Sequence, residues 1–384
     1  MNILFILRSM ANIAGTERVM SDKMNWLAEH GHVISLVTYE QGEHPLSFPL
    51  YPSVRIFDLN TPFYKLSRIP LILRLWEFYK MRKEFKKKLQ GLVEDVKPDI
   101  IDVTSYSIKL INEVINLDSD ARIIMESHAT CYYDGKEFDY RANPIMRLIG
   151  RFYDMYNYRN LNKLNSIIAL TEGDKCDWSK YSDHVIVLPN PLTYYPNRLF
   201  RNENSHRILC VGRLNKQKGF DLLIDAFSLI ASKCPDWYVD IYGNGEEKTM
   251  LLHKIISEGL EGRVNIYNPI NSIYEEYPKS AFLVLSSRYE SFGLVLIEAM
   301  SCGLPCVAFN CKFGPSDIIR NGIDGLLVHE GDVQDLADKM MWMINHNNDC
   351  LEFGRNARIM VKRYCIDVIM PKWKELFESL CRKE

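Results

Sequence analysis

Short apolar runs alternate with longer stretches in which apolar residues recur every three or four positions, and the alternation continues along the whole chain. The runs at 3–7, 33–38, 54–57, 100–104, 123–126, 167–170 and 185–188 predict strands, and 16–29, 71–93 and 108–114 predict helices between them. Buried strands separated by amphipathic helices build a parallel sheet covered on both faces, so the fold class is α/β and doubly wound. Pro189-Asn190-Pro191 breaks the pattern, and the polar run 198–206 reads as a linker. The alternation restarts at Arg207, with strands at 238–242, 264–267, 282–285, 306–309 and 326–328 and helices at 220–232, 248–258, 333–344 and from 351 onward. Two doubly wound domains follow, at 1–192 and 200–365, and Pro371 predicts a break before a last helix at 373–380.

Composition adds limits. A chain of 384 residues that is 47% hydrophobic can fill two cores, and a formal net charge of −2 excludes an overall polyanion-binding cation. The ten cysteines follow no pairing logic; Cys302, Cys306 and Cys311 lack the ligands that would complete a zinc pattern, so they read as core thiols in a reducing compartment. The N-terminal segment reads as a strand and not as a signal peptide, and no run reaches the ~18 apolar residues of a membrane span. A cytoplasmic protein is expected, with association with the inner face of the membrane as an option.

The chemistry-bearing residues follow strands. Glu290 and Glu298 stand eight positions apart, separated by Ser291-Phe292-Gly293-Leu294, in a strand–loop–helix context. Amides at a helix N-terminus favour phosphate. With one carboxylate at the loop mouth and one inside the helix, the arrangement suits an elongated ligand with hydroxyls at both ends and phosphate between, as in a nucleotide sugar. Arg213 and Lys218 follow the first strand of the second half, where fixed cations can neutralise a leaving diphosphate. Gly15 opens the first helix of the chain, and His128 closes its fifth strand. Gly243 lies in a glycine turn, and Asn268-Pro269-Ile270 ends the next strand.

The Glu-x7-Glu element followed by Ala299-Met300 and Gly303-Leu304-Pro305, together with Gly212-Arg213 and Lys218-Gly219, resembles the retaining glycosyltransferases of family 4. The resemblance implies a GT-B fold, with two facing Rossmann-like domains and a last helix crossing back to the first. It implies transfer of a sugar from a nucleotide diphosphate donor, UDP-linked, to a glycan or polyprenyl-linked acceptor, with retention and without metal or cofactor. Arg213 and Lys218 would hold the diphosphate, Glu290 the sugar hydroxyls and Glu298 the ribose. His128 would contact the donor sugar. Gly15, Gly243, the 268–270 segment and the 291–294 tip would line the nucleotide site. Ala14 and Ala129 depart from the family's Gly-Gly and His-Asp. A GT-B epimerase, a GT-B phosphorylase and a non-catalytic nucleotide-sugar binder are the rival readings.

Residues 65–89 carry Arg74, Lys80, Arg82, Lys83, Lys86, Lys87 and Lys88 interleaved with Trp76, Phe78, Tyr79 and Phe85, a pattern that suits an anionic leaflet. Residues 141–159, with Arg147, Arg151, Phe152, Tyr153 and Tyr156, would extend it. Nucleic acid is not expected, because no RNA- or DNA-binding motif accompanies these charges.

Overall fold

The computed structural model describes residues 1–129, 131, 155–197, 202–270 and 272–382. The chain divides into two units, Met1–Pro189 with Met370–Glu384, and Asn190–Ile369. Residues 198–201 of the linker and most of the 141–159 patch lie outside the described residues.

The first unit holds β1 (Asn2–Leu7), β2 (Val33–Thr38), β3 (Arg55–Asp58), β4 (Ile100–Thr104), β5 (Arg122–Glu126), β6 (Ser166–Ala169) and β7 (Val185–Val187), in the order β3-β2-β1-β4-β5-β6-β7. The second holds β8 (Arg207–Val211), β9 (Tyr238–Tyr242), β10 (Val264–Tyr267), β11 (Phe282–Leu285), β12 (Cys306–Phe309) and β13 (Gly325–Val328), in the order β10-β9-β8-β11-β12-β13. Every pairing between these strands is parallel. Parallel strands with both faces covered must be apolar throughout, which is why β4, β11 and β12 are buried at every position.

Two expectations needed correction. The stretch at 108–114 splits into a 3-10 turn, Ser105–Leu110, and a short helix, Ile111–Ile115. The last helix runs unbroken over Ile366–Cys381 with Pro371 inside it. The missing N–H forfeits one bond to the carbonyl of Asp367, an exposed residue that water can reach. Against that small loss stands an apolar stripe, Ile369, Met370, Trp373 and Phe377, buried at helical spacing. All ten cysteines are free thiols, and burial pushes that of Cys302 up to about 11.

Candidate active site

In an open parallel sheet, ligands bind beyond the carboxyl ends of the strands where the strand order reverses. In the second unit that point lies between β8 and β11, so the loops at 212–219 and 286–293 are neighbours. They are fastened along their length. The Ser286 hydroxyl donates to the Lys218 carbonyl at 3.0 Å, the Arg288 amide to the Gln217 carbonyl at 2.8 Å, and the Gln217 side chain to the Tyr289 carbonyl at 3.1 Å. The Arg288 guanidinium grips both oxygens of Asp221 at 2.8 and 2.6 Å and the Lys216 carbonyl at 2.8 Å. Partial burial would raise the Asp221 carboxyl, but Arg288 outweighs it and holds the group below its ordinary range. Gly219 permits the approach: its φ is +63°, and a Cβ there would sit 2.1 Å from the Ser286 carbonyl oxygen.

The fastening brings Lys218 and Glu290 together. Lys218 Nζ lies 2.5 Å from Glu290 Oε1, and the Ser287 hydroxyl donates to the same oxygen at 2.7 Å. The Glu290 backbone is clamped as well, its amide bonding the Lys312 carbonyl at 2.9 Å and its carbonyl the Phe313 amide at 2.7 Å. Arg213 stands on the same loop as Lys218, exposed, with no side-chain hydrogen bond or ion pair among the described residues. The cluster therefore holds one closed ion pair and one open cation.

Ser291, Phe292 and Gly293 lead into helix Leu294–Ser301, whose N-cap is Gly293 at φ 97°. The Phe292 side chain is buried against Tyr364, so only backbone is offered there. The first helical amides lack carbonyl partners within the helix and favour an anion. Glu298, half-buried inside this helix, accepts a hydrogen bond at Oε2 from the Tyr277 hydroxyl at 2.9 Å.

Gly243 has a packing task. A Cβ on it would lie 2.0 Å from the Gly212 carbonyl oxygen, and one on Gly245 would lie 2.3 Å from that of Leu214. The glycine turn thus supports the Arg213 loop from behind. Asn268, Pro269 and Ile270 are exposed at the end of edge strand β10, with Lys248 Nζ 3.0 Å from Asn268 Oδ1. They stand two strands away from the Lys218–Glu290 pair.

In the first unit, Gly15 is the exposed first residue of helix Gly15–Glu29 after β1. His128 follows β5 and is buried, its Nε2 3.3 Å from Glu126 Oε2. Its amide bonds the Ser105 hydroxyl at 3.1 Å. Glu126 also binds the ammonium of Lys23, which lies 3.8 Å from Asp102 and 3.2 Å from the centre of the Trp373 ring. Burial alone would raise Glu126, yet Lys23 and His128 hold it well below the carboxylate range. Burial, with the Glu126 charge beside it, pushes Asp102 well up. Of this cluster the sequence reading singled out His128 and passed over Lys23 and Asp102. Its signal was Lys23 in register with the apolar stripe Val19, Met20, Met24 and Leu27.

The segment at 65–89 divides in two. Phe85 and Leu89 belong to the core, Phe63 packs edge-on against Phe78 and Phe85, and Arg82 is paired with Glu113. Lys88 donates to the Leu59 carbonyl at 2.7 Å. Leu73, Leu75, Trp76 and Tyr79, on the first turns of helix Leu71–Val96, are exposed.

Residues 194–360 match the family described as Glycosyl transferases group 1. That match spans most of the second unit. Curated relatives extend the likeness to nearly the full length of the chain. The amylovoran biosynthesis glycosyltransferase AmsD of Erwinia amylovora is 27% identical over 97% of this chain and 99% of its own. An alpha-1,4-N-acetyl-D-galactosaminyltransferase of Campylobacter jejuni, named for a PP-undecaprenol-linked saccharide, is 26% identical over 99% of each. Among solved structures, a mutant of Staphylococcus aureus TarM with UDP bound aligns at TM-score 0.75 and 17% identity, covering 98% of this chain and 100% of that one. With its two Rossmann-like units the chain has the GT-B fold.

Proposed function

We propose that this glycosyltransferase moves a sugar from a UDP-linked donor to a glycan or polyprenyl-linked acceptor in the synthesis of surface polysaccharide or another envelope glycan. The anomeric configuration is retained, and neither metal nor cofactor takes part. The observation that carries the reading is the Lys218–Glu290 pair fastened beside the open cation of Arg213 at the switch point. A diphosphate seated there meets a guanidinium fork, an ammonium with donors to spare and the amides of the 292–294 helix tip. Charge grows on that diphosphate as the glycosidic bond breaks, so these groups stabilise the transition state more than the ground state. Glu290 accepts sugar hydroxyls through Oε2, while Oε1 stays with Lys218 and Ser287. Glu298 takes the ribose hydroxyls. The polysaccharide assignment draws on AmsD, and the lipid-linked acceptor on the Campylobacter enzyme.

Thermal unfolding across a panel of nucleotide sugars tests the donor. A ligand at about 100 times its Kd stabilises by about 2.7 kcal/mol, so UDP-sugars should raise the midpoint and GDP- or ADP-sugars should not. A panel without any shift sinks the reading. NMR of the product should show the anomeric configuration of the donor, and an inverted product removes the retaining step.

The same reading includes peripheral contact with an anionic leaflet through the first turns of helix Leu71–Val96, where exposed apolar residues stand beside Lys80 and Lys83. Leu73→Ser with Trp76→Ser should cut sedimentation with vesicles rich in phosphatidylglycerol more than Lys86→Gln with Lys87→Gln. Equal sedimentation of all variants ends the membrane claim.

A further inference from the structure

The wholly buried Tyr277 donates its hydroxyl to Glu298 Oε2 at 2.9 Å. Its ring packs edge-on against Tyr274 at 5.8 Å, and Tyr274 against Tyr194 at 4.7 Å. Burial first, then the neighbouring Glu298 charge, lifts the phenol well above its usual pKa, so it stays protonated and donates at any physiological pH. The Glu298 backbone is tied in turn: the Ser301 hydroxyl donates to its carbonyl at 2.7 Å, and Arg358 holds the Ser301 carbonyl.

We propose that Tyr277 is a positioning residue that gives the donor site its selectivity for ribonucleotides over deoxyribonucleotides; the inference rests on the reading that Glu298 receives the ribose. A carboxylate on a flexible side chain loses rotamer freedom when it captures a vicinal diol. The Tyr277 hydroxyl removes that freedom beforehand by fixing Oε2. The carboxylate, held through Oε2, then meets a vicinal diol in one orientation. A 2′-deoxyribose satisfies only half of this fixed acceptor, so discrimination depends on the rigidity Tyr277 supplies. The ribose is remote from the bond that breaks, which places the effect in donor binding and not in turnover.

Tyr277→Phe keeps the ring and removes the hydroxyl. By calorimetry it should weaken UDP binding roughly three- to tenfold, and should shrink the UDP-over-dUDP preference by a similar factor, as expected for the net loss of one ordinary hydrogen bond. Turnover at saturating donor should stay within about twofold. Unchanged affinity and unchanged preference in a folded variant overturn the proposal. Glu298→Gln separates the two layers. If it too leaves the UDP-to-dUDP ratio untouched, the ribose reading itself has failed. If it collapses the ratio while Tyr277→Phe does not, the role of Tyr277 alone is wrong. Should Tyr277→Phe not fold, a crystal of the wild-type enzyme with UDP decides: the Tyr277–Glu298 contact persists while Glu298 accepts a ribose hydroxyl, or it is broken and the proposal falls.

Discussion

Each unit gathers charge at the carboxyl edge of its sheet, and the two clusters are built to opposite ends. In the first, Lys23, Asp102, Glu126 and His128 are all buried, and the ammonium meets a carboxylate and the Trp373 face. Burial and the Glu126 charge raise the Asp102 carboxyl, while Lys23 outweighs burial and holds that of Glu126 low. In the second, Lys218 and Glu290 cancel while Arg213 stays exposed. Charges that satisfy each other out of water stabilise and orient a fold, but have little left for a ligand. A pair with an uncompensated cation beside it, at the switch point, has a charge to offer. On the proposed function, that difference is why Arg213 and Lys218, rather than the buried cluster, would meet the diphosphate.

The comparison can be broken from either side. Lys23→Met leaves Glu126 buried without its counter-ion, which should cost about 3–5 kcal/mol in urea unfolding. Adding Glu126→Gln should recover part of that loss, and a change under about 1 kcal/mol would mean that water reaches the cluster. Arg213→Ala or Lys218→Ala should lower kcat by a factor of roughly 100–1,000, about 3–4 kcal/mol of barrier. The Arg213 variant should keep its unfolding midpoint, and near-normal turnover in both variants would remove the mechanism. Gly219→Ala forces a Cβ onto the Ser286 carbonyl at a left-handed φ, so stability should fall by at least about 1–2 kcal/mol, with activity falling as the loops part.

A pH-dependent effect concerns Asp174, which accepts from the Ser127 hydroxyl at 2.6 Å and from Trp178 at 3.1 Å. Burial raises its carboxyl from 3.8 to about 6 despite those bonds. The folded state thus holds this proton more tightly than the unfolded chain. The contribution is complete below pH ~4 and declines up to pH ~6, by at most about 1.4 kcal/mol per pH unit. Wild type should lose ground to Asp174→Asn as pH rises through that window in paired unfolding curves, and parallel curves would contradict the assignment.

The sheets were legible because parallel strands need continuous apolar runs: 282–285 and 306–309 were read to the residue. Pro371 misled because the local rule took no account of the buried stripe on both sides of it. At the site, Arg213, Lys218, Glu290 and Glu298 were visible as charged groups after strands. The fork from Arg288 to Asp221 was not, since partners 67 positions apart meet only when two βα loops become neighbours. Tyr277 escaped for a similar reason, lying in a short turn with no periodicity of its own. Gly243 looked like a ligand contact, and only the approach of a second backbone showed its packing task.

The most direct measurement is a crystal structure of the enzyme with UDP. The account predicts the β-phosphate within hydrogen-bonding reach, about 3 Å, of both the Arg213 guanidinium and Lys218 Nζ, with the Lys218–Glu290 fastening intact. A nucleotide bound away from the β8–β11 switch point, or a diphosphate touching neither cation, would contradict it.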